Sequence, residues 1–176
     1  MDSWIEQHQG KAYDENGNWA SEGQLDQVTL TSWLQDSYYE LTPPKSTGKE
    51  HFTLERLQPN PEAITAAPAD IQRTLCELTA ITITESLARH YPDTDEIYVC
   101  GGGAYNRLLM KRINSLAKLP TQSTEVLGTP PEWVEALGFA WLAKSCLEGT
   151  ALDTRAITGA TNTCLLGAIH PGKHKP

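Results

Sequence analysis

The chain has 176 residues, of which 14 are lysine or arginine and 22 are aspartate or glutamate, so its formal net charge is −8. This balance disfavours nucleic acid as a partner, because a phosphate backbone binds to positively charged surfaces. A hydrophobic fraction of 39% can form the core of one soluble domain, and no apolar run approaches the roughly 18 residues of a membrane span. We therefore expect a single-domain cytoplasmic protein without membrane or nucleic-acid partners.

The first part of the chain predicts short helices that are separated by turns. Residues 2–9 predict an amphipathic helix that ends at Gly10. Asn16-Gly17 is a strong turn signal, and residues 25–34 form a second amphipathic segment. A helix that begins at the first residue is either an ordinary N-terminal helix or a sign that an upstream segment is absent.

The segment LTPPKSTGKEHF, residues 41–52, predicts an exposed loop, because its two adjacent prolines block a helix. A solvated loop is the simplest interpretation. The alternative is an anion-contacting loop, since two lysine ammonium groups and two hydroxyls can meet phosphate or sugar oxygens. The candidate contact residues are Lys45, Ser46, Thr47 and Gly48.

The longest predicted helix covers residues 68–91 and leads into a glycine turn between a strand and a helix. Residues 97–100 are β-branched, aromatic or apolar and predict a buried strand. Three glycines follow at once, and a further helix begins near Asn106. The residues of this turn that could contact a ligand are Gly101, Gly102, Gly103 and Asn106.

A glycine turn of this kind can serve nucleotide binding. Glycine adopts positive φ angles, lets a flat ligand approach the backbone and leaves free N–H groups near a helix start. Simple packing geometry explains the same pattern equally well. The segment is not a Walker P-loop, because no Lys-Ser or Lys-Thr follows the glycines, and GGGAYN does not match G-x-G-x-x-G.

The last third predicts a second short strand at residues 122–127 and then a long helix. The sequence Thr129-Pro130-Pro131-Glu132 predicts a capping box at the start of that helix, which runs to about Leu147. Apolar residues cover most of its surface, so we expect it to be buried on most sides. Glu135 is the only charge in the stretch VEALGFAWLA, and it lies either on one solvated stripe or in a cleft that contacts substrate.

The chain contains no recognisable catalytic constellation. The four cysteines are scattered without a C-x-x-C pair, so we expect reduced, buried thiols: Cys76, Cys100, Cys146 and Cys164. No Ser-His-Asp order, H-E-x-x-H motif or metal-spaced cluster can be argued from spacing. The pattern therefore predicts a nucleotide-type turn without an evident reacting group.

With these segments in view, the chain resembles the C-terminal half of the anhydro-N-acetylmuramic acid kinase family. The similar segments are MDSWIEQHQGKAYDENGNWASEG from Met1, PPKSTGKEHF from Pro43, VCGGGAYNRLLMKRI from Val99, PPEWVEALGFAWLA from Pro130 and ITGATNTCLLGAIHPG from Ile157. Together they span essentially the whole chain in family order. The resemblance is therefore specific, although the glycine turn alone is not.

The resemblance implies an α/β fold of the actin, hexokinase and ribonuclease H-like type. Residues 1–176 would be the C-terminal lobe without the N-terminal lobe or the first strands, leaving a mostly helical remnant with two parallel strands. Members of this family use ATP and Mg²⁺ to open 1,6-anhydro-N-acetylmuramic acid and phosphorylate it to N-acetylmuramic acid 6-phosphate in peptidoglycan recycling. The implied ligands are thus ATP and an anhydro-amino sugar.

The resemblance also implies roles for individual positions. Glu135 corresponds to a cleft carboxylate near the sugar, and no residue of this chain corresponds to a metal ligand. The glycine turn corresponds to the adenosine side of the ATP site, and the loop at residues 45–48 lies in a family motif without an assigned role. The adenosine-side residues are Gly101, Gly102, Gly103 and Asn106, and the loop residues are Lys45, Ser46, Thr47 and Gly48.

One segment of the family pattern is absent. The family has Asp-Thr-Gly-Pro-Gly-Asn, with the general-base aspartate, immediately before the residues that match Met1–Trp4. We therefore expect the chain alone to be inactive, with the N-terminal lobe as its partner or a homodimer formed through an unpaired strand edge. A non-catalytic nucleotide-binding or interaction module is the alternative. A Rossmann-like cofactor domain is weaker, because only Glu125 lies near the required acidic position.

Overall fold

The computed structural model of the chain describes residues 1–57, 65–170 and 172. Within these residues the protein folds into eight α-helices and two β-strands, joined by loops and 3₁₀ turns. The elements are α1 (Asp2–Gln9), α2 (Asn18–Glu22), α3 (Gln27–Trp33), α4 (Leu54–Leu57), α5 (Pro68–His90), β1 (Ile97–Val99), α6 (Arg107–Ala117), β2 (Thr121–Ser123), α7 (Val134–Leu147) and α8 (Arg155–Thr158). This is the predicted mostly helical α/β arrangement with two parallel strands.

Helix α5 is the centre of the core and confirms the prediction of a long helix that begins at Pro68. One buried cluster joins it to α1, α2 and α3 and consists of Trp4, Ile5, Trp19, Leu30, Trp33, Ile71, Leu75 and Leu78. A second cluster joins it to β1 and α6 and consists of Ala20, Cys76, Ala80, Ile97, Leu109 and Ile113. The helix therefore connects the first part of the chain to the segment that carries the glycine turn.

The two strands are parallel, and Ile97 is in register with Thr121. The second strand is shorter than predicted, because residues 124–127 form a 3₁₀ turn instead of continuing it. The Ser123 side chain caps this turn, and Gly128 ends it with a φ of 83°. Among the described residues, β1 and β2 pair only with each other, so each leaves one edge unpaired.

The prediction that α7 is buried on most sides is wrong. Leu137, Phe139 and Trp141 are 52%, 64% and 56% exposed, and only Ser145 and Cys146 of the helix are buried. The apolar sequence is present, but no element of the described chain packs across most of its surface. The predicted capping box is also absent, because a 3₁₀ turn at residues 131–133 precedes the helix and no side chain caps its first N–H groups.

The prediction of four buried thiols is confirmed for two cysteines and wrong for two. Cys76 and Cys146 are buried, whereas Cys100 and Cys164 are exposed. Cys100 follows the end of β1, and Cys164 lies in the C-terminal segment, where its backbone makes a single bridge to Leu152. In the described part of the chain, no helix has the length and apolar character needed to cross a membrane.

A buried carboxylate connects α5 to α6. Glu77 is 3% exposed and accepts hydrogen bonds from Arg73 Nη1 at 2.9 Å and from Arg112 Nε and Nη2 at 2.8 and 2.7 Å. Burial acts to raise the pKa of Glu77, but the hydrogen bonds from Arg112 and Arg73 outweigh it, so the pKa lies below its ordinary value. Folding therefore favours the charged form of this side chain.

Replacing this carboxylate should expose its contribution to stability. Glu77→Gln is expected to lower the free energy of unfolding by about 2–3 kcal/mol at neutral pH, because two arginines lose their charged partner. Since the folded-state pKa is lowered, this contribution is present above the ordinary glutamate pKa of 4.5 and is lost as the pH falls through the folded value. Urea unfolding from about pH 3 to neutral pH measures it. Glu148→Gln on the exposed end of α7 is the control, and equal effects of both changes would contradict the assignment.

Candidate functional site

The glycine turn connects β1 to α6 and leaves part of its backbone uncovered. Gly101 has a φ of 74°, and residues 102–105 form a 3₁₀ turn. The Asn106 side chain then caps α6 by accepting a hydrogen bond from the Leu109 N–H at 3.0 Å. A Cβ atom placed on Gly101 or Gly102 would meet no heavy atom within 4 Å. The turn is therefore open beside these two glycines.

A second turn, from the first part of the chain, packs against the glycine turn. Gly17 has a φ of 71°, and a Cβ atom placed on it would lie 2.7 Å from Leu108 Cβ and would also collide with Asn106 Oδ1. Asp14 holds this turn by accepting hydrogen bonds from the N–H groups of Trp19 and Ala20, each at 2.9 Å. The predicted turn at Asn16-Gly17 is confirmed, and its close packing requires glycine.

A hollow of about 680 Å³ lies between the two turns. We name it the glycine hollow. The first part of the chain lines it through Asp2, Tyr13 and Glu15, and the glycine turn lines it through Gly102, Gly103, Tyr105 and Asn106. Its volume is within the range of small-molecule sites, which is roughly 300–1,000 Å³.

The wall of the glycine hollow is acidic and aromatic. Asp14 also lines it but is committed to backbone N–H groups, which leaves the exposed Asp2 and Glu15 as free carboxylates. Tyr13 and Tyr105 are 63% and 51% exposed and present aromatic surface there. Carboxylates accept hydrogen bonds from hydroxyls and repel phosphates, so the hollow suits a neutral ring or a polyol better than an anion.

The glycine turn is also tied to the start of α7. The Tyr105 hydroxyl donates a hydrogen bond to the Glu132 carboxylate, which raises the pKa of Tyr105 to about 12 and lowers the pKa of Glu132. The Gly101 N–H donates to the Pro131 carbonyl at 2.9 Å. Glu132 therefore binds the glycine turn and does not form the capping box predicted from the sequence.

Glu135 lies in the first turn of α7 and is exposed. It is not among the residues that line the glycine hollow, so the structure does not bring it together with the glycine turn. Its apolar neighbours on α7 are exposed as well, so they do not separate its carboxylate from solvent. The role that the resemblance implies for Glu135 stays a prediction.

Lys45 is the first residue of the predicted contact loop, and its side chain is used within the protein. Its Nζ donates hydrogen bonds to the carbonyls of Tyr38 and Tyr39 at 3.0 and 3.3 Å and lies 4.7 Å from the centroid of the Tyr38 ring. The ammonium group therefore fastens the start of the loop. The sequence alone cannot predict this role of Lys45, because its hydrogen-bond acceptors are main-chain carbonyls.

The rest of the predicted loop lies beside a second hollow. Ser46 is exposed, whereas Thr47 and Gly48 line a space of about 850 Å³ together with Asp2 and Ser3 at the start of α1. Asp2 thus lines both hollows, which meet at this point. A contact between this loop and phosphate or sugar oxygens stays a prediction.

Sequence reasoning misses most residues of the glycine hollow, and the four with an exposed polar or aromatic side chain discussed above are Asp2, Tyr13, Glu15 and Tyr105. Of these four, Tyr105 alone has a local signal, since it lies two residues after the third glycine and directly before Asn106. The other three are distant in sequence, and no periodicity relates them to the turn. In the described part of the chain, no cluster of three or more His, Cys, Asp and Glu side chains is arranged to hold a metal ion.

An open glycine turn between a strand and a helix, beside a hollow of this size, is typical of nucleotide-binding proteins. Comparison with protein families is more specific, because the model of the anhydro-N-acetylmuramic acid kinase family matches residues 1–172. The chain belongs to this family. The resemblance predicted from the sequence is therefore confirmed.

Curated relatives that carry the name anhydro-N-acetylmuramic acid kinase are similar to nearly the whole chain. The relative from Xylella fastidiosa is 42% identical over 172 residues, which is 97% of this chain and 45% of the relative. The relative from Pseudomonas savastanoi pv. phaseolicola is 46% identical over 175 residues, which is 97% of this chain and 48% of the relative. The chain therefore spans about half the length of the relatives it matches.

The contact between the two turns can be tested with a matched pair of glycines. Gly10 and Gly17 have φ angles of 66° and 71°, but only Gly17 lacks room for a Cβ atom. Gly10→Ala should lower the free energy of unfolding by about 1 kcal/mol through backbone strain alone, and Gly17→Ala by about 3 kcal/mol. Urea unfolding measures both values. The amide signals of Gly103 and Asn106 should shift only in Gly17→Ala, and equal destabilisation would disprove the close contact.

Proposed function

We propose that the chain is the C-terminal lobe of an ATP-dependent cytoplasmic kinase with an actin- and hexokinase-like fold. The kinase opens 1,6-anhydro-N-acetylmuramic acid and phosphorylates it to N-acetylmuramic acid 6-phosphate. Family membership over residues 1–172 supports the reaction, and the names of the curated relatives agree with it. The structural observation that carries the proposal is the open backbone of the glycine turn beside the glycine hollow.

ATP would supply the transferred phosphoryl group, with Mg²⁺ as its counter-ion. The uncovered glycines would admit the adenosine end, since no side chain blocks their backbone. Asn106 would keep this backbone in place through its cap on α6. The residues assigned to this function are Gly101, Gly102, Gly103 and Asn106.

The remaining wall of the hollow fits the same end of the nucleotide. Tyr13 and Tyr105 offer aromatic faces to a purine, and Asp2 and Glu15 can accept hydrogen bonds from ribose hydroxyls. The same carboxylates disfavour a triphosphate inside the hollow. The phosphates and Mg²⁺ are therefore assigned to the half of the kinase that this chain does not match. On this proposal, the chain alone is inactive.

The exposed apolar surface of α7 is the proposed contact with that other half. Leu137, Phe139, Trp141 and Leu147 are all more than half exposed, and the relatives contain about as many further residues as this chain matches. An unpaired strand edge adds a second place where a partner segment could join. A homodimer through the same surfaces is the competing arrangement.

A non-catalytic nucleotide-binding or interaction module is the alternative function, because it would use the same glycine hollow. ATP binding therefore does not separate the two proposals, whereas turnover by the completed kinase does. A Rossmann-like cofactor domain would need a carboxylate near the ribose. Glu125, its only candidate, is exposed in the turn after β2, and titration with a dinucleotide tests it.

Nucleotide binding can be tested at the glycine turn. Gly102→Val should weaken ATP binding at least tenfold, because the new side chain would occupy space that is now empty beside the hollow. The fold should be retained, since a Cβ atom at this position meets nothing within 4 Å. Isothermal titration calorimetry measures the affinity. Gly138→Val on α7 has the same free space and is the control, and unaltered ATP affinity of Gly102→Val would refute the assignment.

The proposed reaction can be tested by supplying the missing half. The unmatched half of a relative, added as a separate polypeptide, should form a one-to-one complex with this chain and restore phosphorylation of the anhydro sugar. Sedimentation velocity measures the complex, and a coupled ADP assay measures turnover. A stable complex without turnover would favour the non-catalytic module. A homodimer of this chain that does not bind the added half would contradict the proposed contact on α7.

The same assay tests Glu135. Glu135→Gln should lower kcat at least tenfold while ATP affinity changes little, if its carboxylate contacts the sugar in the complete kinase. Glu148→Gln, on the exposed C-terminal side of α7, is the matched control. Equal losses of turnover and ATP affinity in Glu135→Gln would indicate a structural carboxylate.

A further inference from the structure

A further pocket lies between the C-terminal ends of α5 and α6, and we name it the proline pocket. It has a volume of about 360 Å³, and its lining includes Thr84, Glu85, Ala88, Pro92, Thr94 and Leu116. It shares no described lining residue with the glycine hollow. The glycine turn precedes the start of α6, whereas this pocket lies at its other end, and a helix of 11 residues is about 16 Å long. The proline pocket is therefore a separate site.

Two residues that line the pocket each have a main-chain carbonyl without its usual helical partner. In an α-helix, the carbonyl of residue i accepts a hydrogen bond from the N–H of residue i+4. The residue four positions after Ala88 is Pro92, and the residue four positions after Leu116 is Pro120. Proline has no N–H, so neither carbonyl can be satisfied in this way.

Among the residues that the structure describes, no other N–H or hydroxyl replaces these missing donors. The N–H of Tyr91 donates to the Leu87 carbonyl at 2.8 Å, and the N–H of Lys118 donates to the Asn114 carbonyl at 3.0 Å. The N–H and hydroxyl of Thr94 both donate to the Tyr91 carbonyl, at 3.2 and 2.7 Å. Helix carbonyls point towards the C-terminal end of the axis, so two free acceptors lie at the edge of the pocket.

The electrostatic character of the pocket is negative. Unsatisfied carbonyls give the C-terminal end of a helix a partial negative charge, and two such ends meet here. Glu85 is the only charged side chain among the described lining residues. Arg89 lies in the last turn of α5 but donates to the Tyr39 carbonyl at 3.3 Å, and Lys118 follows α6 without lining the pocket. The pocket therefore favours a cation.

The remaining wall is largely apolar. Ile81, Leu87, Leu116 and Leu119 contribute aliphatic side chains, and Tyr91, which is 56% exposed, contributes an aromatic ring. An alkyl stem can pack on such a surface while its charged end stays at the polar edge. An ammonium group has three N–H donors, which matches two carbonyls and one carboxylate. A divalent metal ion would instead need about six oxygen ligands, which an apolar wall does not supply.

We propose that the proline pocket binds a primary ammonium group on an alkyl chain. The ammonium group donates hydrogen bonds to the carbonyls of Ala88 and Leu116 and to the Glu85 carboxylate, and the alkyl chain packs on the aliphatic wall. A free alkylamine and a lysine side chain of another polypeptide share this chemistry. The proposal goes beyond the proposed function, because neither ATP nor the anhydro sugar carries an alkylammonium group.

NMR titration of the chain with hexylamine tests the proposal, with hexanol and potassium chloride as separate probes. Hexylamine should shift the amide signals of Leu87, Ala88, Thr94 and Leu119 in a saturable manner. It should bind at least tenfold more tightly than hexanol or potassium, because only hexylamine has both the charge and the alkyl chain. Butylamine should bind about fivefold more weakly than hexylamine, since it has two fewer methylene groups to bury.

A second titration distinguishes the two sources of the ammonium group. Nα-acetyl-lysine amide presents the lysine side chain as a polypeptide does. Tighter binding than hexylamine would support a lysine of a partner polypeptide, and weaker binding would support a free amine. The proposal is overturned if hexanol binds as tightly as hexylamine, or if potassium chloride reproduces the same shifts through general attraction to the acidic chain.

Two substitutions test the individual acceptors. Glu85→Gln should weaken hexylamine binding about tenfold and leave hexanol binding unchanged, with Glu148→Gln on α7 as the control. Pro92→Ala restores an N–H that can pair with the Ala88 carbonyl, so it should weaken hexylamine binding about fivefold. Pro68→Ala is its matched control, because Pro68 begins α5 and no helical carbonyl lies four residues before it.

Unchanged hexylamine affinity in Glu85→Gln would also overturn the proposal. This variant differs from the original chain by one exposed side chain, so its folding is not in question. Its ATP affinity at the glycine hollow should equal that of the unchanged chain. Failure of amine binding is therefore distinguishable from failure of the proposed function.

Discussion

The packing of Gly17 against Asn106 is the contact on which the candidate site depends. Asn106 caps α6 and thereby fixes the end of the glycine turn. Gly17 brings the first twenty residues against that cap, because no other side chain would fit at its backbone conformation. The glycine hollow lies between these two turns, so its shape depends on their contact. Helix α5 supports the contact by packing against both parts of the chain.

The charges that line the hollows suit the binding of neutral groups but not the transfer of a phosphoryl group. Carboxylates line both hollows, while Lys45 is engaged with main-chain carbonyls. Such walls can recognise hydroxyls and rings, but transfer of a phosphoryl group needs cations that neutralise the phosphate oxygens. The glycine hollow therefore suits the neutral end of the proposed nucleotide better than its phosphates. On the proposed function, the charge-neutralising groups belong to the half of the kinase that this chain does not match.

Local signals account for the parts of the fold that the sequence predicts well. Helix α5 begins at Pro68, and β1, the glycine turn and α6 follow in the predicted order, because each has its own periodicity or backbone requirement. The burial of α7 is predicted wrongly, because an apolar sequence indicates that a helix can be buried but does not indicate which element covers it. The same limit applies to Glu135, because the sequence alone does not distinguish a solvated stripe from a cleft.

The candidate site was only half predictable for a related reason. Gly101 and Asn106 are marked by a local pattern, whereas Asp2, Tyr13 and Glu15 reach the hollow through tertiary packing. They lie at the hollow because the turn at Asn16-Gly17 packs against the start of α6. Lys45 shows the converse, because a pattern suited to anions is used for main-chain contacts. Charge in a loop therefore predicts a ligand poorly until its nearest carbonyls are known.

The exposed apolar face of α7 is the proposed contact between the two halves of the kinase, so its burial contributes to their association free energy. Burying a fully exposed large apolar side chain contributes about 1.5–3 kcal/mol. Leu137, Phe139, Trp141 and Leu147 are 52–72% exposed, so together they offer about 4–7 kcal/mol. Association of two chains costs about 4–15 kcal/mol, which leaves this face marginal by itself. A ligand that contacts both halves adds its own binding free energy to the complex. On the proposed function, assembly and nucleotide binding are therefore thermodynamically coupled, and the chain would bind its partner half most tightly when the nucleotide contacts both.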